Sequence, residues 1–266
     1  MGGKTSRPGA SRGRTTGTGD LSGAPRHGLA RVLSKAGLCS RTEAANWIRE
    51  GRVRIDGNVV RDPEYPLDDG MRRVRVEGHG NGPLPQRQYL MHNKPRGLVT
   101  TTRDEQGRDT GYRCFNGAGL PWLAPVGRLD KASEGLLLFS NDPQWAAAVL
   151  DPESGPDKTY HVQIDRLPDG ALLQGLREGV AETGERLRAK SVSVLRSGAR
   201  NAWLEIVLDE GRNRQIRRLL GAFDVGVLRL VRVAIGDLSL GTLAKGGWRL
   251  LDDGERDALA PGRDRR

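Results

Sequence analysis

From residue 28 onward the apolar positions of this chain recur in two rhythms. Leu29, Val32, Leu33 and Ala36 fall at helical spacing and stop at Gly37, which predicts a short helix. Ser40-Arg41-Thr42-Glu43 has the order of a capping box, in which a serine hydroxyl and a glutamate carboxylate satisfy free backbone N–H groups; it predicts a second helix over Arg41 to Glu50, ended by Gly51. The rhythm then shortens to two. Val53-Arg54-Ile55 and Asn58-Val59-Val60 flank Asp56-Gly57, a dipeptide that accepts the positive φ angles of a two-residue hairpin. One more strand is expected around Arg73 to Val76.

Asn81-Gly82-Pro83-Leu84-Pro85-Gln86 breaks both rhythms and reads as a linker. Beyond it, strand-like runs are expected at Gln88 to Asn93, Leu136 to Phe139, Thr159 to Ile164, Ala202 to Leu208 and Leu228 to Ala234. Helices are expected at Pro143 to Leu150, Ala171 to Arg177 and Arg214 to Phe223. Leu136 to Phe139 is apolar without alternation, which suits a strand buried on both faces. Asp142-Pro143 has the order of a helix start, with aspartate as N-cap and proline in the first turn. Strands outnumber helices and their spacing is uneven, so the fold class is α+β: a small helix-and-hairpin module followed by a mixed, mostly antiparallel sheet with flanking helices. The expected organisation is an arm over 1–27, the module over 28–78, a linker over 79–87, the sheet domain over 88–253 and a charged tail over 254–266.

Charge narrows the class. Lys and Arg number 43 against 33 Asp and Glu, giving a net charge of +10, so a polyanion is the natural partner. Without a basic amphipathic helix, nucleic acid is favoured over a membrane surface. The first 27 residues are rich in Gly, Ser, Thr and Arg and hold Asp20 as their one acid, a composition expected to stay a disordered basic arm. Cys39 and Cys114 stand far apart with no zinc-type spacing, so neither a disulfide framework nor a metal is expected. With no membrane-length apolar run and no signal-peptide core, the expectation is a soluble, cytoplasmic chain; the sequence is silent on oligomeric state, for which a monomer is the default.

The candidate chemistry sits at Gly127-Arg128-Leu129-Asp130, a glycine-flanked acid just ahead of the buried apolar run. By local pattern Asp130 is equally a turn residue. Two further segments could converge on it: Lys158-Thr159-Tyr160-His161-Val162, with a tyrosine in an alternating strand, and Glu210-Gly211-Arg212-Asn213-Arg214-Gln215-Ile216-Arg217-Arg218, a glycine turn feeding a basic helix start.

The first module, "ARVLSKAGLCSRTEAANWIREGRVRIDGNVV" with "DDGMRRVRVEG", resembles the S-four RNA-binding module. The remainder, "LMHNKPRGLVTT", "DEQGRDT", "GRLDKASEGLLLFSND", "KTYHVQI", "EGRNRQIRRLL" and "VRVAIGDLSLGTLAKGGWRLL", resembles the RsuA/RluB/RluE/RluF-type ribosomal RNA pseudouridine synthases, with all motifs in order from Gln88 to Leu251. This resemblance implies that Asp130 is the catalytic carboxylate acting on a uridine extruded from its helix. It further implies that Arg217 pairs with Asp130, that Tyr160 stacks on the uracil or aids proton transfer, that Arg128 helps hold the base out of the helix or contacts its phosphate, and that Leu129 is among the substrate-binding residues. Arg212, Arg214 and Arg218 would be phosphate contacts at the site or plain surface charge, and Arg31, Arg41, Arg52 and Arg54 would contact RNA from the module. No cofactor and no metal are implied, and the partner would be ribosomal RNA or a pre-ribosomal particle, with large-subunit RNA favoured over small-subunit RNA. Ser133 stands where threonine is frequent, and "TGYRCF" at Thr110 to Phe115 departs from the usual run. An RNA-binding assembly factor without catalysis is the main rival class; it would be favoured by loss of Asp130 or Arg217, and both are present.

Overall fold

The computed structural model describes residues 27–67, 74–78, 85–100, 110–115, 117–182 and 184–261. The expected basic arm lies outside them, except for His27.

The amino-terminal module contains β1 (His27–Gly28), α1 (Leu29–Lys35), α2 (Arg41–Arg49), β2 (Val53–Ile55), β3 (Asn58–Val59), β4 (Pro66–Leu67) and β5 (Val74–Val76). Ser40 caps α2, its Oγ accepting from Glu43 N at 3.1 Å, but among the described residues Glu43 makes no return bond, so only half of the expected capping box forms. Asp56 (φ 49°) and Gly57 (φ 87°) both take positive φ and turn β2 into β3, as the two-residue hairpin requires. The strands order as β3-β2-β5. Leu29, Leu33, Trp47, Ile48 and Val53 form a core that belongs to this module alone.

The rest is built on one nine-stranded sheet. Its strands are β6 (Tyr89–Lys94), β7 (Ala124–Val126), β8 (Glu134–Ser140), β9 (Lys158–Ile164), β12 (Ser191–Ser197), β13 (Ala202–Leu208), β14 (Val227–Ile235), β15 (Leu238–Ser239) and β16 (Trp248–Leu250). β10 (Val180–Glu182) and β11 (Glu185–Leu187) form a separate hairpin. The helices are α3 (Pro143–Leu150), α4 (Gly170–Glu178), α5 (Gln215–Gly221) and α6 (Asp253–Leu259). The order is β12-β13-β9-β14-β8-β6-β16, with β15 attached to β14 and β7 to β8. Every pairing in it is antiparallel except β8 with β14, so the mixed, mostly antiparallel sheet expected from the sequence is present.

Two local expectations hold in detail. All seven residues of β8 are buried, matching its unbroken apolar run. Asp142 caps α3, its Oδ1 accepting from Gln144 N and Trp145 N at 3.0 and 3.2 Å. Two others need correction. The charge of residues 254–266 predicts a tail, but α6 occupies their start. Asp252 and Glu255 close a full capping box there, and Leu259 and Ala260 bury in the cluster of Met91, Leu136, Leu138 and Trp145. The helix expected over Arg214 to Phe223 begins one residue later, because Arg214 holds left-handed backbone (φ 50°), and it ends at Gly221.

Candidate active site

β9, β14 and β8 lie side by side at the centre of the sheet, and the three segments singled out in the sequence meet around them. The Gly127–Ser133 loop enters β8, Lys158 and Tyr160 sit on one face of β9, and α5 leads into β14. Together they enclose a pocket of about 420 Å³. Gly135 makes the junction possible: it pairs in register with Arg232, and a Cβ there would lie 2.2 Å from the Arg232 carbonyl oxygen. Its φ of 99° is also one that L side chains rarely adopt.

The backbone of the acid-bearing loop is pinned from several sides. Thr100 Oγ1 donates to Leu129 O at 2.8 Å and accepts from Leu129 N at 3.3 Å. Ser133 N donates to Asp130 O at 2.9 Å. Arg217 Nη2 donates to Ala132 O at 3.3 Å, and its Nη1 reaches Val227 O at 3.4 Å. Lys94, at the end of β6 and with no exposed surface, donates through Nζ to Pro95 O, Asp130 O and Ser133 O at 3.1, 3.1 and 2.8 Å. Burial pulls this ammonium down to about 8, with Asp130 and Glu134 acting in the opposite direction. Four residues from Asp130, the second acid of the segment is committed elsewhere. Glu134 is tied to Arg229 at 2.8 Å and Lys245 at 2.7 Å, and those cations hold its carboxyl at about 2 in spite of burial.

The pocket gathers Arg128, Leu129, Asp130, Tyr160, Arg212, Arg214 and Arg217. Among the described residues the Asp130 carboxylate has no ion pair within 4.0 Å, so Arg217 meets the loop at the Ala132 carbonyl rather than at the acid itself. The two are still close enough to feel each other's charge. Burial, Arg214 and Arg96 weaken the hold of the Arg217 guanidinium on its proton, while Asp130 strengthens it. Tyr160 is 9% exposed and packs with Leu129, Ile216 and Leu230 in the main core cluster, leaving an apolar surface against which a flat base could lie. Arg212 lines the pocket but is engaged by Glu210 at 2.7 Å.

Arg218 does not line the pocket. It clamps the β10–β11 hairpin through Glu182 and Glu185, at 2.6 and 3.0 Å. In the module, Arg31 is exposed, Arg41 pairs with Glu64 at 3.2 Å, Arg52 lies over Trp47 at 5.3 Å and Arg54 donates to Gly57 O at 3.2 Å.

Among the residues that shape the pocket or its loop, Lys94, Thr100, Lys158 and Arg232 have no role assigned from the sequence. Lys158 belongs to the motif that carries Tyr160, and Lys94 to the run "LMHNKPRG"; a charge within a strand bordering the candidate acid is the available signal.

Comparison with known proteins gives the family. Residues 88–222 match a family model described as RNA pseudouridylate synthase, and residues 28–72 match the S4 domain. An uncharacterized RNA pseudouridine synthase of Rickettsia bellii is 35% identical over 221 residues, 83% of this chain and 95% of the relative. The ribosomal large subunit pseudouridine synthase B of Escherichia coli O6:H1 is 35% identical over 231 residues, 84% of this chain and 79% of that protein. A crystal structure of a pseudouridylate synthase superposes with a TM-score of 0.60 at 28% identity, covering 89% of this chain and all of the other. The ordered motifs, the pocket built from them and these likenesses along nearly the whole described length agree: the chain belongs to the RNA pseudouridylate synthase family, as a member with an amino-terminal S4 domain.

Proposed function

We propose that this chain converts one uridine of large-subunit ribosomal RNA to pseudouridine, with Asp130 as the nucleophile acting on a flipped-out base. The observation that carries the reading is the Asp130 carboxylate itself: it lines a nucleotide-sized pocket with no ion-pair partner among the described residues, on a loop whose backbone is fixed from several sides. The uridine must leave its stack, because a paired base offers no side chain access to its glycosidic bond. In the isomerisation the N1–C1′ bond breaks, the uracil turns within the pocket and the C5–C1′ bond forms. C5 gives up its proton, N1 gains one, and Asp130 is regenerated. Tyr160 supplies a face for the base. Arg217 fixes the loop through Ala132 and adds positive charge beside the acid. No external cofactor is needed, since the detached uracil is recaptured in place.

Among the pocket's charged residues, six cations (Arg128, Lys158, Arg212, Arg214, Arg217 and Arg232) face Asp130 and Glu210, a balance suited to a polyanionic substrate. The large-subunit assignment rests on relatives such as the Escherichia coli and Pasteurella multocida proteins named ribosomal large subunit pseudouridine synthase B.

Carbodiimide mapping of pseudouridine in ribosomal RNA from cells with and without the chain tests this reading. One large-subunit mark should vanish in the deletion, return with the intact chain and stay absent with Asp130→Asn. Persistence of every mark would refute the activity, loss of a small-subunit mark would move the target, and rescue by Asp130→Asn would remove the acid from its role.

A further inference from the structure

Of the cations lining the pocket, only Lys158 and Arg232 are buried, at 7% and 6% exposure. They belong to adjacent strands. Arg232 of β14 is the register partner of Tyr160 of β9, and Lys158 stands two residues from Tyr160 on the same face. Arg232 donates through Nε to Leu136 O at 2.7 Å, yet among the described residues its enclosed Nη2 has no hydrogen-bond partner. Among the described residues nothing accepts a hydrogen bond from Lys158 Nζ. The acids whose charge reaches Lys158, Asp157 and Asp209, are themselves paired with Lys190 at 2.7 Å and Arg188 at 3.4 Å. Burial, and then Arg232, weaken the hold of Lys158 on its proton.

Two neighbouring buried cations with unused donors are costly to maintain, because desolvated charge needs an opposite charge or a full set of acceptors. Nearly all buried donors in folded proteins are paired, so the enclosed Arg232 Nη2, beside a Lys158 that lines the pocket without an acceptor among the described residues, points to an acceptor that arrives with the substrate. We infer that Lys158 and Arg232 form a buried anion site in the pocket wall that receives a negatively charged oxygen of the target nucleotide. The inference rests on the uridine-isomerising reading above. Two oxygens of that nucleotide have the required chemistry: a phosphodiester oxygen, or a uracil carbonyl oxygen that takes up charge when the N1–C1′ bond breaks. A guanidinium and an ammonium already in place would favour either without reorganisation.

The test uses the full chain and ribosomal RNA transcribed with [5-³H]uridine, in which tritium released to water reports loss of the C5 proton. Lys158→Met and Arg232→Gln should each lower kcat/KM roughly a hundredfold. Their thermal midpoints should hold or rise, because each change removes an uncompensated buried charge. Arg232→Lys, which keeps the charge, should retain more activity than Arg232→Gln. A loss confined to kcat, with RNA affinity unchanged, assigns the site to the uracil oxygen. A loss in affinity, with the salt slope of binding reduced by roughly one, assigns it to a phosphodiester. Activity within about twofold of wild type in both neutral variants would overturn the anion site. So would activity lost only in step with a lower melting midpoint. If the wild-type chain itself releases no tritium, the uridine reading fails instead, and the variants' affinity for the same RNA still decides whether the two cations hold an anion.

Discussion

The module and the pocket use the same residue types in opposite ways. In the module, Arg31 and Arg54 stand on the outside of a small closed core, and the pairing of Arg41 with Glu64 is exposed on both sides. Around the pocket, Lys94, Lys158 and Arg232 are buried within the sheet. An exposed cation meets a phosphate through water and salt, adds a small increment to affinity and tolerates slack. A buried one has lost its hydration, so its value depends on which atoms surround it. On the reading proposed above, surface cations would set how strongly RNA is held, and interior cations where atoms sit.

Lys94→Met should break the pocket side of this contrast most strongly. It strips the donor from the Pro95, Asp130 and Ser133 carbonyls and frees the loop to drift, so kcat should fall on the order of a hundredfold with RNA affinity unchanged. Single-turnover tritium release with saturating RNA reads this; an equal loss of affinity would blur the division. Glu134 tests the middle ground, where the surface cations Arg229 and Lys245 neutralise a buried acid. Glu134→Gln should cost about 2 kcal/mol of stability near neutral pH and leave the chemistry largely intact. The sign of the pH dependence follows from the depressed carboxyl. The folded protein keeps Glu134 ionised down to about 2, against a usual value of 4.5, so its contribution is present above 4.5 and disappears as pH falls towards 2. Thermal melts between those limits should show that decline in the wild type and a flatter profile in the variant. The smallest effect belongs to the module: the double change Arg31→Ala and Arg54→Ala should weaken RNA binding by about 1 kcal/mol and reduce the salt slope by roughly 0.7 to 0.9 for each phosphate no longer neutralised. kcat at saturating RNA should not move, and a drop there would place the module within the chemical step.

Much of this frame is legible in the sequence because local rules and tertiary structure agree there. The apolar run of β8, the Asp142-Pro143 start of α3, the Ser40 cap, the Asp56-Gly57 hairpin and the alternation around Tyr160 each carry their own signal. The burial of the cations does not show in this way: a charge inside a strand beside the candidate acid marks the position, but alternation assigns polar residues to solvent and cannot register a lysine whose acceptors come from loops 36 and 39 residues away. β12 does not stand out although Ser191-Val192-Ser193-Val194 alternates: the signal is four residues long, and six of the strand's seven residues are exposed, so little apolar burial backs it. α6 reads as a tail because its charges dominate, and the burial of Leu259 and Ala260 depends on partners distant in sequence. The candidate acid is visible from its motif, whereas its setting is not: Arg217 grips the backbone beside Asp130, a distinction no spacing pattern encodes.

The close approach at Gly135 offers an experimental handle of another kind. Adding one methyl group there, as Gly135→Ala, would drive a carbon against the Arg232 carbonyl and force β8 and β14 apart, changing no charge anywhere in the molecule. Such a chain would keep its electrostatic attraction for RNA while its reactive groups fell out of alignment. It would serve as a neutral decoy, able to occupy the substrate without modifying it, and would separate what occupancy does for the RNA from what the altered base does.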